Sequence, residues 1–343
     1  MNIPAIMLLS LITGKAPSLM NIKPFIYISL LIITICSWIS CKKDNLKWAK
    51  TTTISLPTNA NLYRMIRTYD NTIIVCGGKR FESAELVISR DNGNTWQHIL
   101  VAEAGKAMMG LCQSEDSTIY AIGVDSKLLT SEDDGKTWKF TQLNIWNNCT
   151  GIAFPTPSKG YTITDIAQRN GAIYSITNKS STSATKEFQF GLNDIFFNKN
   201  VGVAIGYGAV LKTTDTGNTW HYTDIKNDNF SAIYYLNNNN IWLCGAAGGI
   251  YQSTDQGKSW QVKRKANSLT QSKYYLRDIA FVNETTGWAV GENGMVIYTS
   301  NSGNDWTMYE KFTDNTLRCI LPLSDGSVLI CGDNGGLYHL QKQ

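Results

Sequence analysis

A single turn motif recurs along this chain of 343 residues and limits the folds that the chain can adopt. The motif has the form Ser/Thr-x-Asp-x-Gly-x-Ser/Thr-Trp. Aspartate accepts hydrogen bonds from turn amides, and glycine adopts the positive φ that such a turn requires. Each copy therefore predicts a tight turn between two strands. The copies are SRDNGNTW (89–96), SEDDGKTW (131–138), TTDTGNTW (213–220), STDQGKSW (253–260) and the degenerate TSNSGNDW (299–306).

The spacing of this box indicates seven repeating units. Its tryptophans follow one another after 42, 82, 40 and 46 residues, so the second interval spans two units. We expect the hidden unit to contain GYTIT (160–164) and ATKEFQF (184–190), with Phe188 in the place of the tryptophan. The other six units contain an apolar run that ends in glycine: IIVCG (73–77), IYAIG (119–123), VGVAIG (201–206), IWLCG (241–245), GWAVG (287–291) and VLICG (328–332).

Short apolar runs that alternate with Gly, Asn and Asp clusters predict four short strands in each unit. A small antiparallel sheet cannot bury both of its faces alone, but seven sheets around an axis can do so. The sequence therefore predicts an all-β fold, a single seven-bladed β-propeller of four-stranded antiparallel blades over residues 46–343. The box tryptophans are expected to be structural, with their rings between neighbouring blades: Trp96, Trp138, Trp220, Trp260 and Trp306.

The two ends of the chain predict how the ring closes. The last unit begins near Asn315 and has neither a box nor a fourth strand, whereas LKWAKTTTI (46–54) is a strand without a unit of its own. We expect residues 46–54 to form the outer strand of the seventh blade, with Trp48 in the position of the box tryptophans.

The first forty residues predict where in the cell the protein is located. Residues 24–39 form an uncharged apolar run that is short for a membrane-spanning helix and is followed by Ser40 and Cys41. Ile39-Ser40-Cys41 resembles the lipobox of bacterial lipoproteins, which implies a signal peptide over 1–40, a lipidated Cys41 and a short tether over 41–45. An ordinary secretory signal with an incidental cysteine is the alternative, and Met20 is a possible true start. We expect a protein of the cell envelope, attached to a bacterial membrane through lipid alone.

Charge argues against nucleic acid as a partner. The chain has 31 Lys and Arg against 27 Asp and Glu, a net charge of +4. Two of the positive charges, Lys15 and Lys23, belong to the expected signal peptide, which leaves 29 basic residues against 27 acidic ones. A mature charge of +2 is too small for a broad anionic partner.

We also expect the protein to be a monomer.

The candidate binding site comes from an alignment of the predicted inner strands. When their apolar residues are aligned, Arg277 of the sixth unit, Arg318 of the seventh and Arg64 of the first share a column. Guanidinium groups that converge in this way suit a carboxylate or a phosphate. Alternatively, each arginine pairs with a nearby acid such as Asp278 or Asp314. The column contains Arg64, Met109, Thr150, Asn193, Ser231, Arg277 and Arg318, and the tyrosines expected nearby are Tyr63, Tyr274 and Tyr275.

No catalytic, metal or cofactor site is predicted. The box aspartates Asp91, Asp133, Asp215 and Asp255 each belong to a separate turn. The cysteines form no CxxC pair and no cluster with histidine, so we interpret them as small buried residues, although a disulfide is possible in an oxidising compartment.

The boxes resemble Asp boxes, also called bacterial neuraminidase repeats, which mark a fold and not an activity. The stretches 201–220, 241–260 and 287–306 more closely resemble the repeat of the photosystem II assembly and stability factor family. This resemblance implies a non-enzymatic propeller that binds a protein or an anionic ligand at an arginine-rich patch. The alternative is a sialidase-like or other glycan-acting hydrolase, because sialidases also use an arginine triad on a propeller with Asp boxes.

Overall fold

Seven small sheets form the structure, a computed structural model that describes residues 48–167, 169–226, 228–267 and 275–342. The described residues form 28 strands, arranged as seven antiparallel sheets of four strands each. The predicted signal peptide, Cys41, the tether and Tyr274 lie outside the described residues.

The first half of the strands builds blade 7 in part and blades 1 to 3 completely. In chain order these are β1 (Trp48–Thr53) of blade 7; β2 (Asn61–Arg67), β3 (Ile73–Gly78), β4 (Glu85–Ser89) and β5 (Gln97–Leu100) of blade 1; β6 (Met108–Gln113), β7 (Ile119–Gly123), β8 (Lys127–Ser131) and β9 (Lys139–Gln142) of blade 2; and β10 (Cys149–Thr156), β11 (Lys159–Thr164), β12 (Gly171–Thr177) and β13 (Ser181–Phe188) of blade 3.

The second half builds blades 4 to 6 and completes blade 7. These strands are β14 (Leu192–Asn198), β15 (Val201–Gly206), β16 (Ala209–Thr213) and β17 (His221–Tyr222) of blade 4; β18 (Phe230–Tyr235), β19 (Ile241–Gly245), β20 (Ile250–Ser253) and β21 (Gln261–Arg264) of blade 5; β22 (Leu276–Phe281), β23 (Gly287–Gly291), β24 (Val296–Thr299) and β25 (Thr307–Met308) of blade 6; and β26 (Leu317–Pro322), β27 (Val328–Gly332) and β28 (Leu337–Lys342) of blade 7.

The second strand of each blade explains why the sheets need neighbours on both sides. The apolar runs that end in glycine form these strands, as predicted, and β3, β7, β19, β23 and β27 are buried at every position. A strand with one solvated face would alternate between buried and exposed positions. Both faces of these sheets are therefore covered, which is the arrangement that the propeller prediction requires.

Apolar clusters fill the spaces between successive blades. In one of them, Ile74 and Leu86 of blade 1 pack with Leu111 and Leu129 of blade 2, and Trp138 packs against the group. The other four box tryptophans lie in equivalent clusters. The tryptophan that follows each box thus joins its own blade to the preceding one.

The ring closes through the two ends of the described chain. β1 pairs antiparallel with β28, with Thr51 opposite Leu340 and Thr53 opposite Tyr338. This confirms that an N-terminal strand completes the last blade. The position predicted for the Trp48 side chain lies outside the described residues.

The outer strand of blade 3 corrects the prediction for Phe188. β13 begins at Ser181, directly after a turn in which Asn178 and Lys179 have φ of 50° and 60°. Phe188 lies opposite Gly171 at the far end of this strand instead of beside the turn. Because blade 3 has lost its box, a short hairpin replaces the longer turn, and Phe188 packs in the cluster between blades 3 and 4.

Four boxes share one set of hydrogen bonds, which Asp215 illustrates. Its carboxylate accepts bonds from Thr219 Oγ1 at 2.6 Å, from Thr219 N at 2.9 Å and from Thr213 Oγ1 at 2.7 Å. Gly217, with φ of 84°, donates its N–H to Thr213 Oγ1 at 3.0 Å. The bonds from Thr219 lower the pKa of Asp215 to about 2. The pKa is also lowered to about 2 at Asp91 and Asp133, and at Asp255, where the bonds outweigh the opposing effect of burial.

The degenerate box of blade 6 keeps this geometry by exchanging two residues. Asn301 stands where the other boxes have aspartate, and its Oδ1 accepts bonds from Thr299 Oγ1 and Asp305 N, both at 3.0 Å. Its Nδ2 donates to Asp305 Oδ2 at 2.9 Å. The carboxylate has therefore moved four residues along the turn, to the position of the threonine or serine.

Removal of the closing strand should destabilise the whole ring. A chain that starts at Leu56 loses the five residue pairs between β1 and β28. At about 1 kcal/mol for each backbone hydrogen bond, the free energy of unfolding should fall by about 3 kcal/mol or more. Urea unfolding would compare this chain with a control that starts at Trp48. Equal unfolding midpoints for the two chains would contradict closure by β1.

The exchange in blade 6 predicts how a second box responds to the same changes. Thr219→Asp places a second carboxylate against Asp215, so at pH 7 the thermal midpoint should fall by about 2 °C or more through like-charge repulsion. Adding Asp215→Asn recreates the Asn301–Asp305 arrangement and should restore most of the loss. Thermal unfolding at pH 7 measures both effects, and a double variant no more stable than Thr219→Asp would argue against the interpretation.

Candidate functional site

The inner strand is the first strand of blades 1 to 6 and β26 of blade 7. Each of these seven strands contains a β-bulge at the same level. The pairing with the second strand skips one residue in each blade, for example between Leu62 and Arg64 in blade 1 and between Leu317 and Cys319 in blade 7. A bulge leaves the extra residue unpaired and redirects its side chain. The seven extra residues are Tyr63, Met109, Thr150, Asn193, Ser231, Arg277 and Arg318.

Arg64 does not belong to this column, which corrects the alignment made from the sequence. Blade 1 has two apolar residues in succession, and Met65, not Ile66, occupies the position of Ile320 in blade 7, since Met65 pairs with Val75 as Ile320 pairs with Ile330. A shift of one residue moves a side chain to the other side of a strand. Tyr63 therefore takes the bulge position, and Arg64 lies one residue beyond it.

The structure brings Arg318 and Tyr63 together at the face where the inner strands begin. The guanidinium carbon of Arg318 lies 4.9 Å from the centre of the Tyr63 ring, a cation–π contact between blades 7 and 1. Arg318 Nε also donates to Asp333 Oδ1 at 2.5 Å. Its side chain remains 26% exposed.

Arg277 has an equivalent acidic partner in blade 6. It forms an ion pair with Glu292, and its side chain is 40% exposed. Its Nε is buried without a hydrogen-bond partner among the described residues. Tyr275, two residues earlier, is 47% exposed. We call Tyr63, Tyr275, Arg277 and Arg318 the rim patch.

Both arginines of the rim patch pair with acids other than those considered from the sequence. Glu292 and Asp333 directly follow the glycines that end β23 and β27. Asp314 instead pairs with Lys311, and Asp278 lies buried one residue after Arg277. The ion pairs hold the two guanidinium groups at the rim but leave part of each side chain exposed to solvent.

Exposed aromatic residues occur in loops at this same face. In an antiparallel blade, the loop after the second strand and the chain before the inner strand lie at the end where the inner strand begins. Phe81 and Tyr207 follow second strands, and Trp146 precedes β10; all three are exposed. Aromatic residues and arginine are the types enriched at protein interfaces.

Arg64 forms a different site, inside the channel. Its Nη2 lies 2.6 Å from Oδ1 of Asp194, and this ion pair joins blade 1 to blade 4. Asp194 also accepts the N–H groups of Ile195 at 2.9 Å and of Ile233 at 3.0 Å. Asp278 of blade 6 accepts the N–H groups of Ile279 and Ile320, both at 2.9 Å. We call Arg64, Asp194 and Asp278 the channel cluster.

Burial shifts the acid–base behaviour of the channel cluster. It raises the pKa of Asp278 to about 6, although Arg64 acts in the opposite direction. Burial alone would lower the pKa of Arg64, but Asp194 and Asp278 outweigh it and hold that pKa above its usual range. Arg64 therefore stays charged, whereas Asp278 titrates within reach of physiological pH.

Sequence reasoning considered Asp278 only as a partner of an arginine and did not consider Asp194, although a signal for both aspartates exists. Residues 192–195 read LNDI and residues 276–279 read LRDI. In both, aspartate directly follows the bulged residue, so the same short pattern marks both carboxylates.

The cysteines and histidines, the remaining residue types that could carry chemistry, occupy positions that a structural role explains. The described cysteines are all free, and Cys76, Cys244 and Cys331 are buried at equivalent positions of their second strands. His98 contacts Glu85 at 2.8 Å and His339 contacts Ser327 at 2.8 Å. Within the ranges that the structure describes, no three His, Cys, Asp or Glu residues are grouped to hold a metal ion. In those same ranges, no helix has the length and apolarity to cross a bilayer.

Comparisons with known proteins agree with this architecture. Residues 222–299 match the family model described as Photosynthesis system II assembly factor YCF48. No curated protein matches the chain.

Solved structures share the fold over most of this chain. YCF48 from Cyanidioschyzon merolae is 17% identical, with 85% of this chain and 99% of that chain covered and a TM-score of 0.67. A structure titled YCF48 bound to D1 peptide is 18% identical over 85% and 97%, with a TM-score of 0.65. A catalytically inactive virginiamycin B lyase from Staphylococcus aureus, with quinupristin, is 14% identical over 86% and 99%, with a TM-score of 0.69. The chain is a seven-bladed propeller that resembles the photosystem II assembly factor YCF48.

Proposed function

We propose that this protein is a non-enzymatic propeller that binds a segment of a protein partner at the rim patch, as an assembly factor would. The observation that carries the proposal is that Arg277 and Arg318 occupy equivalent bulge positions in two neighbouring blades. A guanidinium group has five N–H donors, and the ion pairs with Glu292 and Asp333 use only some of them. The remaining donors can bind a carboxylate of the partner.

The tyrosines of the rim patch suit a peptide better than a free anion. Tyr63 supports Arg318 from the side, and Tyr275 offers an exposed ring. Aromatic rings beside arginine form the centres of many protein interfaces, because they bury large areas with little loss of conformational freedom. The structure titled YCF48 bound to D1 peptide supports a peptide ligand for a propeller of this type.

The geometry gives no support to the glycan-hydrolase alternative. That alternative required Arg64, Arg277 and Arg318 to act as one triad on a single anion. Arg64 instead lies in the channel cluster, paired with Asp194, while the other two arginines have separate acidic partners at the rim. We therefore propose binding without catalysis.

We also propose that Cys41 is lipidated and holds a monomeric propeller at a membrane of the cell envelope. The support is the sequence pattern alone, an apolar run that ends at Ser40 and Cys41. Labelled palmitate should enter the expressed native protein and not its Cys41→Ala variant. Equal labelling of the two proteins would contradict the tether.

Loss of the two rim arginines should weaken peptide binding. The probe is an array of random twelve-residue peptides with free C-terminal carboxylates, and we expect the bound peptides to be rich in acidic residues. Arg277→Ala with Arg318→Ala should reduce affinity for them by about tenfold or more, because each charged hydrogen bond contributes about 1.5 kcal/mol or more.

A matched control separates the rim from overall charge. Lys136→Ala with Lys258→Ala removes the same charge from exposed box turns at the opposite face, and its peptide affinities should equal those of the native protein. Bound peptides without acidic enrichment, or equal effects of the two double variants, would overturn the assignment of the rim patch.

A further inference from the structure

The channel contains a cavity that the proposed function does not use. Its volume is about 570 Å³, in the range of cavities that hold small molecules. It extends from the channel cluster to residues at the far ends of the inner strands, such as Arg67, Gln113 and Asn198. Arg64 lines it, whereas the described lining residues include neither Arg277 nor Arg318. The cavity is therefore separate from the rim patch.

Apolar side chains form the walls of this cavity. Ile152, Ile195, Ile233 and Ile320 occupy equivalent positions of four inner strands and surround the space. Phe196 also lines it, with its ring stacked on Tyr235 at 4.3 Å between centres. Such walls favour the hydrocarbon or aromatic body of a ligand.

The charges at the inner end of the cavity do not balance. Arg64 is one positive charge, and Asp194 is its ion-pair partner. Asp278 lines the same cavity and is buried, yet no basic group of the described residues lies within ion-pair distance of it. When both carboxylates are ionised, the channel cluster carries a net charge of −1.

Among the residues that the structure describes, no second cation lies close enough to Asp278 to correct this imbalance. Arg64 of blade 1 lowers its pKa, as does a hydrogen bond from Cys319 of blade 7. From blade 5, Tyr234 and Cys244 lie close to it; burial raises the pKa of each of these neutral groups, and the charge of Asp278 raises it further. The buried carboxylate thus has three donors, the N–H groups of Ile279 and Ile320 and the thiol of Cys319, but an incomplete counter-charge.

We propose that the channel cavity binds a small amphiphilic amine, with its ammonium group against Asp278 and its apolar body between the isoleucines. An ammonium ion supplies the missing positive charge and an N–H donor for the remaining lone pair of the carboxylate. A carboxylate ligand of the same shape would add a second excess negative charge. A neutral ligand would gain the apolar contacts alone.

Three probes with one body and different head groups test this proposal on the native protein. They are 2-phenylethylamine, 2-phenylethanol and 3-phenylpropionate, and calorimetry at pH 7.5 measures their binding. The amine should bind with one-to-one stoichiometry and at least tenfold more tightly than the alcohol, and the carboxylate should bind most weakly of the three.

The pH dependence adds a second test on the native protein. The amine binds the ionised form of Asp278, whose pKa is about 6. Lowering the pH from 7.5 to 5 protonates this carboxyl, so the affinity of the amine should fall about tenfold while that of the alcohol changes little.

A pair of variants assigns the binding to Asp278. Asp278→Asn should weaken binding of the amine tenfold or more, whereas Asp314→Asn, the same charge change at an exposed position, should leave it unaltered. Circular dichroism establishes that both variants fold. If Asp278→Asn does not fold, the three probes and the pH series decide. Equal affinities for the amine and the alcohol, preference for the carboxylate, or an amine affinity independent of pH would overturn the proposal.

Discussion

The whole structure depends on covering both faces of every sheet. The second strands are buried at consecutive positions, so neither face of a blade can meet water without exposing apolar side chains. Neighbouring blades provide the cover, and the box tryptophans extend it towards the preceding blade. A row of sheets would leave two faces open, and a closed ring leaves none. The pairing of β1 with β28 is the last contact that this closure requires.

The β-bulge of the inner strands converts this regular ring into two chemically different sites. The extra residue of each strand lies at the rim, and there Arg277 and Arg318 remain partly exposed. The residue after it faces the channel, where the two aspartates are buried and Arg64 is partly buried. One residue of offset thus separates arginines suited to a partner's carboxylate from an arginine that joins opposite blades. The proposed peptide site and the channel cavity therefore lie at different levels of one axis.

The sequence predicted the blades well because their signals are local. A box needs a hydroxyl residue, an aspartate and a glycine within five positions, and its tryptophan stands three residues after the glycine, so the pattern is recognisable in five units, with Asn301 in place of aspartate in the fifth. Blade 3 was harder, since its hairpin has no box and the strand after it begins earlier. In blade 6, Asn301 looked like a loss, whereas Asp305 supplies the missing carboxylate.

The site was less predictable because it depends on register. Two apolar residues in succession, Met65 and Ile66, allow two alignments of blade 1, and only the pairing with β3 selects between them. The contact between Arg64 and Asp194 joins residues 130 positions apart, so no local sequence pattern predicts it. Isolated strands do not reveal a bulge, since the extra residue is defined by the partner strand.

The contact between Arg64 and Asp194 offers the most direct test of this account, because it exists only if the ring closes and the register of blade 1 is as described. Urea unfolding at pH 7 of the native protein, Arg64→Met, Asp194→Asn and the double variant gives the coupling free energy of the pair. We expect about 2 kcal/mol, as for other pairs of residues in contact. Strictly additive effects of the two substitutions would contradict the closed ring with Arg64 in its channel.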